Sequence, residues 1–216
     1  MKLEAGWVPV ALSASIEAGT SAGAVVDGSE IVVWRDNSGK AHVWEDRCPH
    51  RGMRMSFGFV RGDHIACLYH GWQYDTAGQC RYIPAHPSLE VPQTIKVPTY
   101  ASEEKYGIVW ATAAAEASAP EIDGLTEVTP VRSLYIDRSA DDVAAALRES
   151  GVTDVGLLQV GDDRLLVALQ SISQNKAALH IVIAGAPAVH AGAKQKHYAV
   201  WAERLRFDLE QKAEVA

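Results

Sequence analysis

Cysteine is scarce in this sequence: three residues in 216, too few for a disulfide scaffold. Long hydrophobic runs are lacking as well. No stretch approaches the ~18 apolar residues of a membrane span, and the opening MKLEAGWVPV has no apolar centre of the kind a secretory signal needs. Nor is there an excess of basic charge. The net charge of −7 argues against nucleic acid as a partner. Internal repeats and low-complexity tracts are also missing. What remains is an ordinary globular composition, 48% hydrophobic and 22% charged, expected in a reducing cytoplasm with no membrane and no nucleic-acid partner.

The few cysteines are not scattered. Residues 45–74 read EDRCPHRGMRMSFGFVRGDHIACLYHGWQY, with Cys48-Pro49-His50 and Cys67-Leu68-Tyr69-His70 each followed closely by glycine, Gly52 and Gly71. Two thiolates and two imidazoles make a mixed metal-ligand set. A Cys2His2 zinc site needs the same four ligand types, but zinc motifs usually pair cysteine with cysteine and histidine with histidine along the chain. Here each segment carries one of each. That arrangement lets each loop give one thiolate to one iron and one imidazole to the other, as a Rieske 2Fe-2S cluster requires. Cys80, the remaining cysteine, is read as a buried free thiol acting as a small hydrophobe.

Around these loops the chain reads as short strands and turns. Gly23 to Val26 leads through Asp27-Gly28, a hairpin signal, into Glu30 to Arg35, and Asp36-Asn37-Ser38-Gly39 turns into Ala41 to Trp44. His42 alternates with apolar neighbours and is expected on a strand surface. Asp63 to Ala66 predicts a strand running into Cys67. Gln73 to Asp75 and Arg81 to Ile83 flank another turn, and the Pro-rich segment Pro84 to Pro92 is expected to pack as a third loop over the ligands. Further β signal lies at Thr94 to Thr99, and Tyr106 to Ala111 closes an all-β domain assigned to residues 1–112.

Residues 113–130, rich in Ala, Ser, Thr and Pro, read as a linker with a possible short helix at 113–117. Beyond it, residues 131–216 predict a small α+β domain of order β-α-β-β-β-α. A strand at Val131 to Asp137 precedes a helix with Ser139 and Asp142 at capping-box spacing and Gly151 as its stop. Strands follow at 154–160, 164–173 and 177–184. A helix over 195–212 carries Tyr198, Trp201, Leu205 and Leu209 on one face.

Cys48-Pro49-His50-Arg51-Gly52 and Cys67-Leu68-Tyr69-His70-Gly71-Trp72 resemble the signature of Rieske non-haem iron oxygenase large subunits, and the similarity extends from about Trp7 to Ala111. The resemblance implies that Cys48 and Cys67 hold one iron and His50 and His70 the other. It also implies a reductase or ferredoxin as electron donor, and trimeric rings are common in that family. Ser56, Tyr69 and Tyr74 are candidates for contacts that tune the cluster, and Arg47, Arg51, Arg54 and Arg61 for a basic rim.

Members of that family append a helix-grip domain holding a mononuclear iron through two histidines and a carboxylate. The C-terminal part here resembles a shortened version of it, but His180, His190 and His197 do not show that triad's spacing, so a mononuclear iron is not expected. The leading expectation is therefore a 2Fe-2S electron-transfer component serving a separate oxygenase catalytic subunit. Alternatives are a compact oxygenase whose C-terminal half binds substrate and an unrecognised iron, and a redox-responsive binding module. Homo-oligomerisation is compatible with any of these.

Overall fold

The structure, a computed structural model, describes residues 3, 6–114, 118–149 and 155–211. The expected helix at 113–117 and the Gly151 stop fall largely or wholly outside these.

Strands β1 (Val8–Leu12), β2 (Ser21–Val26), β3 (Ser29–Arg35) and β4 (Ala41–Glu45) come first. Four short strands follow: β5 (Phe59–Arg61), β6 (His64–Ala66), β7 (Gln73–Asp75) and β8 (Cys80–Tyr82). The chain then returns through β9 (Thr99–Lys105) and β10 (Ile108–Thr112). The long strands form one antiparallel sheet in the order β1-β10-β9-β4-β3-β2, and the short ones a second, β5-β6-β7-β8. Asp27 and Gly28 both have positive φ, the geometry that lets a two-residue turn match the strand twist between β2 and β3.

Alternation along β3 splits the interior of this half. Val32 and Trp34 face one core with Trp44, Met55, Ile65 and Tyr74, beneath the ligand loops. Ile31 and Val33 face another with Val10, Val43 and Val109. A strand with both faces covered reads as a nearly unbroken apolar run, which is what IVVW is.

Three sequence expectations are corrected here. His42 is buried rather than on the surface: its Nε2 lies 2.9 Å from Asp36 Oδ2 and its ring stacks on Trp34. Burial pulls His42 below the ordinary imidazole range. Burial works to raise Asp36, but the hydrogen bonds from His42, Ser38 and Lys40 N–H outweigh it and hold the carboxyl at about 2. A paired polar side chain is thus part of the core, which alternation alone does not reveal. Thr94 to Thr99 is not a strand apart from a lone bridge of Lys96 to Gln79; the strand β9 begins at Thr99 with the polar run TYASEEK.

The third correction concerns β11 (Val128–Ile136), which starts three residues before the expected strand. Pro130 sits at a register shift on this edge strand, where a missing N–H is tolerated. Helix α1 (Ala140–Glu149) follows, with Asp142 N–H donating to Ser139 Oγ at 3.1 Å as the capping spacing predicts. Then come β12 (Val155–Val160), β13 (Asp163–Ser173), β14 (Lys176–Ala184), a short helix α2 (Pro187–His190) and α3 (Ala193–Gln211).

The third sheet has the order β11-β14-β13-β12 and two buried faces. Leu165, Val167, Leu179 and Ile181 pack under α1 and α3, against Val143, Leu147, Tyr198 and Ala202. Leu166, Ala168 and Val182 point the other way, against Leu12, Ile108 and Trp110. Asp27 N–H and Gly28 N–H donate to the Ser171 and Ile172 carbonyls, tying the β2–β3 turn to the end of β13. Within the expected linker, Ala119 and Leu125 are buried in the same seam, and Glu121 binds Lys105 and Tyr106.

Candidate metal centre

The two ligand loops fold by one local rule. Cys48 N–H donates to the Met53 carbonyl at 2.8 Å and Gly52 N–H to the Cys48 carbonyl at 2.8 Å. In the second loop Cys67 N–H donates to Trp72 O at 2.9 Å and Gly71 N–H to Cys67 O at 3.0 Å. In both, the glycine four positions after the cysteine is left-handed, with φ of 69° and 70°. An L side chain is strained there, which explains why glycine follows each ligand pair. The histidines occupy different places in the two turns, Cys+2 and Cys+3.

Tertiary packing brings the loops tip to tip. Cys48 and Cys67 are buried and within hydrogen-bonding reach of each other, whereas His50 is half-buried and His70 exposed. The imidazole centroids are 4.7 Å apart. Thiols lie inside and imidazoles outside. Cys48 lies below the ordinary thiol range because Cys67 donates to it, and Cys67 lies above that range for the same reason. Tyr74, on β7, places its hydroxyl 3.2 Å from Cys48 Sγ, and burial raises the phenol well above its ordinary value.

Surrounding contacts position each loop. Trp72 stacks on His50 at 4.2 Å and 5°, and Tyr69 lies against His70 at 3.8 Å. Arg47 and Arg54, on either side of the first loop, both bind the Glu30 carboxylate of β3, and Arg47 also donates to Gly52 O. Ser56 binds Asp46 rather than a sulfur. Arg61 sits over Phe59, and Arg51 is exposed at the loop tip. Gly58 has no room for a side chain: a methyl group would lie 2.5 Å from Ala66 O, the residue before Cys67. In the Pro-rich segment, Pro84 packs directly on Gly71. Glu30 and Gly58 were not anticipated from the sequence; the only signal was charge complementarity to the arginines, which specifies no partner.

The donor set fits a binuclear group better than a single ion. Among the described residues no three His, Cys, Asp or Glu side chains gather as one metal site. Two soft thiols paired on the inside and two imidazoles paired on the outside could offer two ligands to each of two irons, with sulfur and nitrogen segregated as a Rieske centre needs. Cys80 is free and buried nearby.

The C-terminal histidines do not meet. His180 on β14 is fully enclosed, with Nδ1 2.8 Å from Ser133 Oγ and Nε2 2.8 Å from Gln170 Oε1; burial holds it down to about 4. His190 is buried on α2, its Nδ1 3.9 Å from Asp163. His197 lies on α3 against Tyr198.

Fold and site together define an iron–sulfur protein of the Rieske class, and residues 6–101 match the Rieske [2Fe-2S] domain. The chain resembles proteins named as oxidoreductases and oxygenase subunits. It is 33% identical over 193 residues to the oxidoreductase NdmD of Pseudomonas putida, covering 85% of this chain and 32% of that protein. It is 33% identical over 121 residues to the 3-chlorobenzoate-3,4-dioxygenase oxygenase subunit of Comamonas testosteroni, covering 55% of this chain and 28% of that protein. The chain thus spans about a third or less of these relatives. Apo dicamba monooxygenase superposes with a TM-score of 0.70 over 99% of this chain and 89% of its own, at 15% identity, a likeness of fold. No helix among the described residues is long and apolar enough to cross a membrane.

Proposed function

We propose that this chain is an electron-transfer component of a Rieske oxygenase system, with Cys48 and Cys67 holding one iron of the cluster and His50 and His70 the other. When bound, the cluster supplies one-electron chemistry at a potential raised by its histidine ligands. The observation that carries the reading is the orientation of the ligand pairs: buried thiols behind, imidazoles at the surface, where a partner can come close. Trp72 holds the His50 ring in plane, Tyr74 donates to the Cys48 sulfur, and Glu30 restrains both flanks of the first loop.

One further point favours electron transfer over a complete oxygenase. His180, the most enclosed C-terminal histidine, has both ring nitrogens committed to protein partners. A reductase or ferredoxin would deliver the electron, and a separate catalytic subunit would receive it. The domain division belongs to the same proposal: the cluster domain over 1–112, a connection from 113 up to β11 and an accessory α+β domain to 216, with the expected boundary at 130 moved back to Val128.

The competing reading, a compact oxygenase with substrate and a mononuclear iron in the C-terminal half, is favoured by the fold likeness to dicamba monooxygenase. Iron counting separates them. Fully loaded protein holds about two irons per chain for electron transfer and about three for an oxygenase. A third iron retained after Cys48→Ser removes the cluster would overturn the electron-transfer reading.

A further inference from the structure

A cavity of about 170 Å³ lies where the cluster-bearing half meets the C-terminal sheet, on the face of that sheet turned away from α1 and α3. Val10 and Leu12 of β1, Ala24 of β2 and Val33 of β3 form apolar walls. Ser133 of β11 and His180 of β14, paired across the strands, form one polar end. We propose that this cavity binds a small, neutral, single-ring molecule whose O–H or N–H donates to Ser133 Oγ. It is separate from the metal centre: Val33 faces away from the core that holds Cys48 and Cys67.

Size sets the first limit. An enclosed apolar cavity of about 150 Å³ accepts benzene, so this partly open space of about 170 Å³ has room for one six-membered ring. Charge sets the second. No Asp, Glu, Lys or Arg lines the space, so an ionised guest would be desolvated without a counter-charge.

Hydrogen-bond polarity sets the third limit. Gln170 Nε2 donates to the Val25 carbonyl at 2.9 Å, which turns its Oε1 toward His180. That oxygen can only accept, so His180 carries its proton on Nε2 and presents a bare Nδ1 to Ser133. Ser133 must therefore donate its hydroxyl hydrogen to His180. Its lone pairs are left as the acceptor facing the cavity, which selects a guest that donates. The depressed basicity of the enclosed His180 keeps the ring neutral and this polarity intact.

The test is calorimetric or ligand-observed NMR titration of the full-length holoprotein with phenol, toluene and benzoate. Phenol should saturate at one site per chain, and benzoate should not. Ala24→Leu, and separately Ala22→Leu on the same face of β2, should each weaken phenol at least tenfold while the visible spectrum of the cluster and cooperative unfolding are kept. Ser133→Ala should lower the phenol-to-toluene affinity ratio about fivefold, the worth of one hydrogen bond. Failure of phenol to saturate, benzoate binding as well as phenol, or undiminished binding in both leucine variants would overturn the proposal. An unchanged ratio in Ser133→Ala would remove the assigned hydrogen bond and overturn it equally.

Discussion

The hydroxyl of Tyr74 lies 3.2 Å from the sulfur of Cys48, and both residues are buried. An O–H directed at a thiolate stabilises negative charge, and a reduced cluster carries more of it than an oxidised one. Tyr74→Phe removes only that donor. The reduction potential should fall by ~50–100 mV, as expected for losing one charge-assisted hydrogen bond in a one-electron couple. A redox titration followed by EPR checks this; a potential unchanged or raised would show that the contact does not tune the site.

Glu30 restrains the first ligand loop through Arg47 and Arg54. Both arginines are about half exposed, so the pairs themselves contribute at most ~1 kcal/mol to folding. The larger expected effect is on the loop. Glu30→Gln should leave the melting temperature nearly unchanged but hasten bleaching of the cluster's visible absorbance, with Glu30→Asp intermediate. Equal bleaching rates in all three proteins would contradict this positioning role.

Two glycines near the centre should respond differently to the same added methyl group. At Gly58 it would meet the Ala66 carbonyl at 2.5 Å and the Met55 carbonyl at 2.9 Å, so backbone must move. At Gly52 the surrounding space is open, and only the left-handed φ of 69° is strained. Gly52→Ala should therefore destabilise by ~1–2 kcal/mol, the ordinary left-handed penalty. Gly58→Ala should cost more, ~3 kcal/mol with its backbone clash, and should lower the yield of loaded protein. Chemical denaturation and iron content measure the two effects.

His180 gives stability a pH dependence of known sign. Its folded value, about 4, lies below the ~6.5 of an unfolded imidazole. The unfolded chain therefore binds this proton first as pH falls. The contribution is fully present above pH ~6.5 and declines to about pH 4, by at most ~3 kcal/mol. His42, also lowered, acts in the same direction. Urea midpoints measured from pH 7 to pH 4 should fall, and His180→Gln should flatten the fall. An equally steep decline in that variant would assign the dependence to other groups.

Much of the geometry of the two loops was legible because it is local. Cys48, His50, Cys67 and His70, with glycine four positions after each cysteine, sit within two short turns whose hydrogen bonds close inside the turn itself. The capping of α1 by Ser139 and the Asp27-Gly28 hairpin are local in the same sense. Features that depend on partners in other strands are not legible in the same way. His42 alternates like a surface residue but is enclosed by Asp36 and by Trp34 of the neighbouring strand, and β9 is polar because it borrows its pairing from β4 and β10. Pro130 resembled a strand boundary, although an edge position and a bulge accommodate it.

The sequence by itself determined which side chains can be ligands and how each loop turns, since those depend on backbone geometry over a few residues. Only the tertiary structure decided that the cysteines face inward and the histidines outward. It alone brought Tyr74 to Cys48 across 26 positions and set Ser133, His180 and Gln170 in one hydrogen-bonded row. Such relationships arise when sheets pack face to face, and periodicity says which residues share a face but not what that face meets.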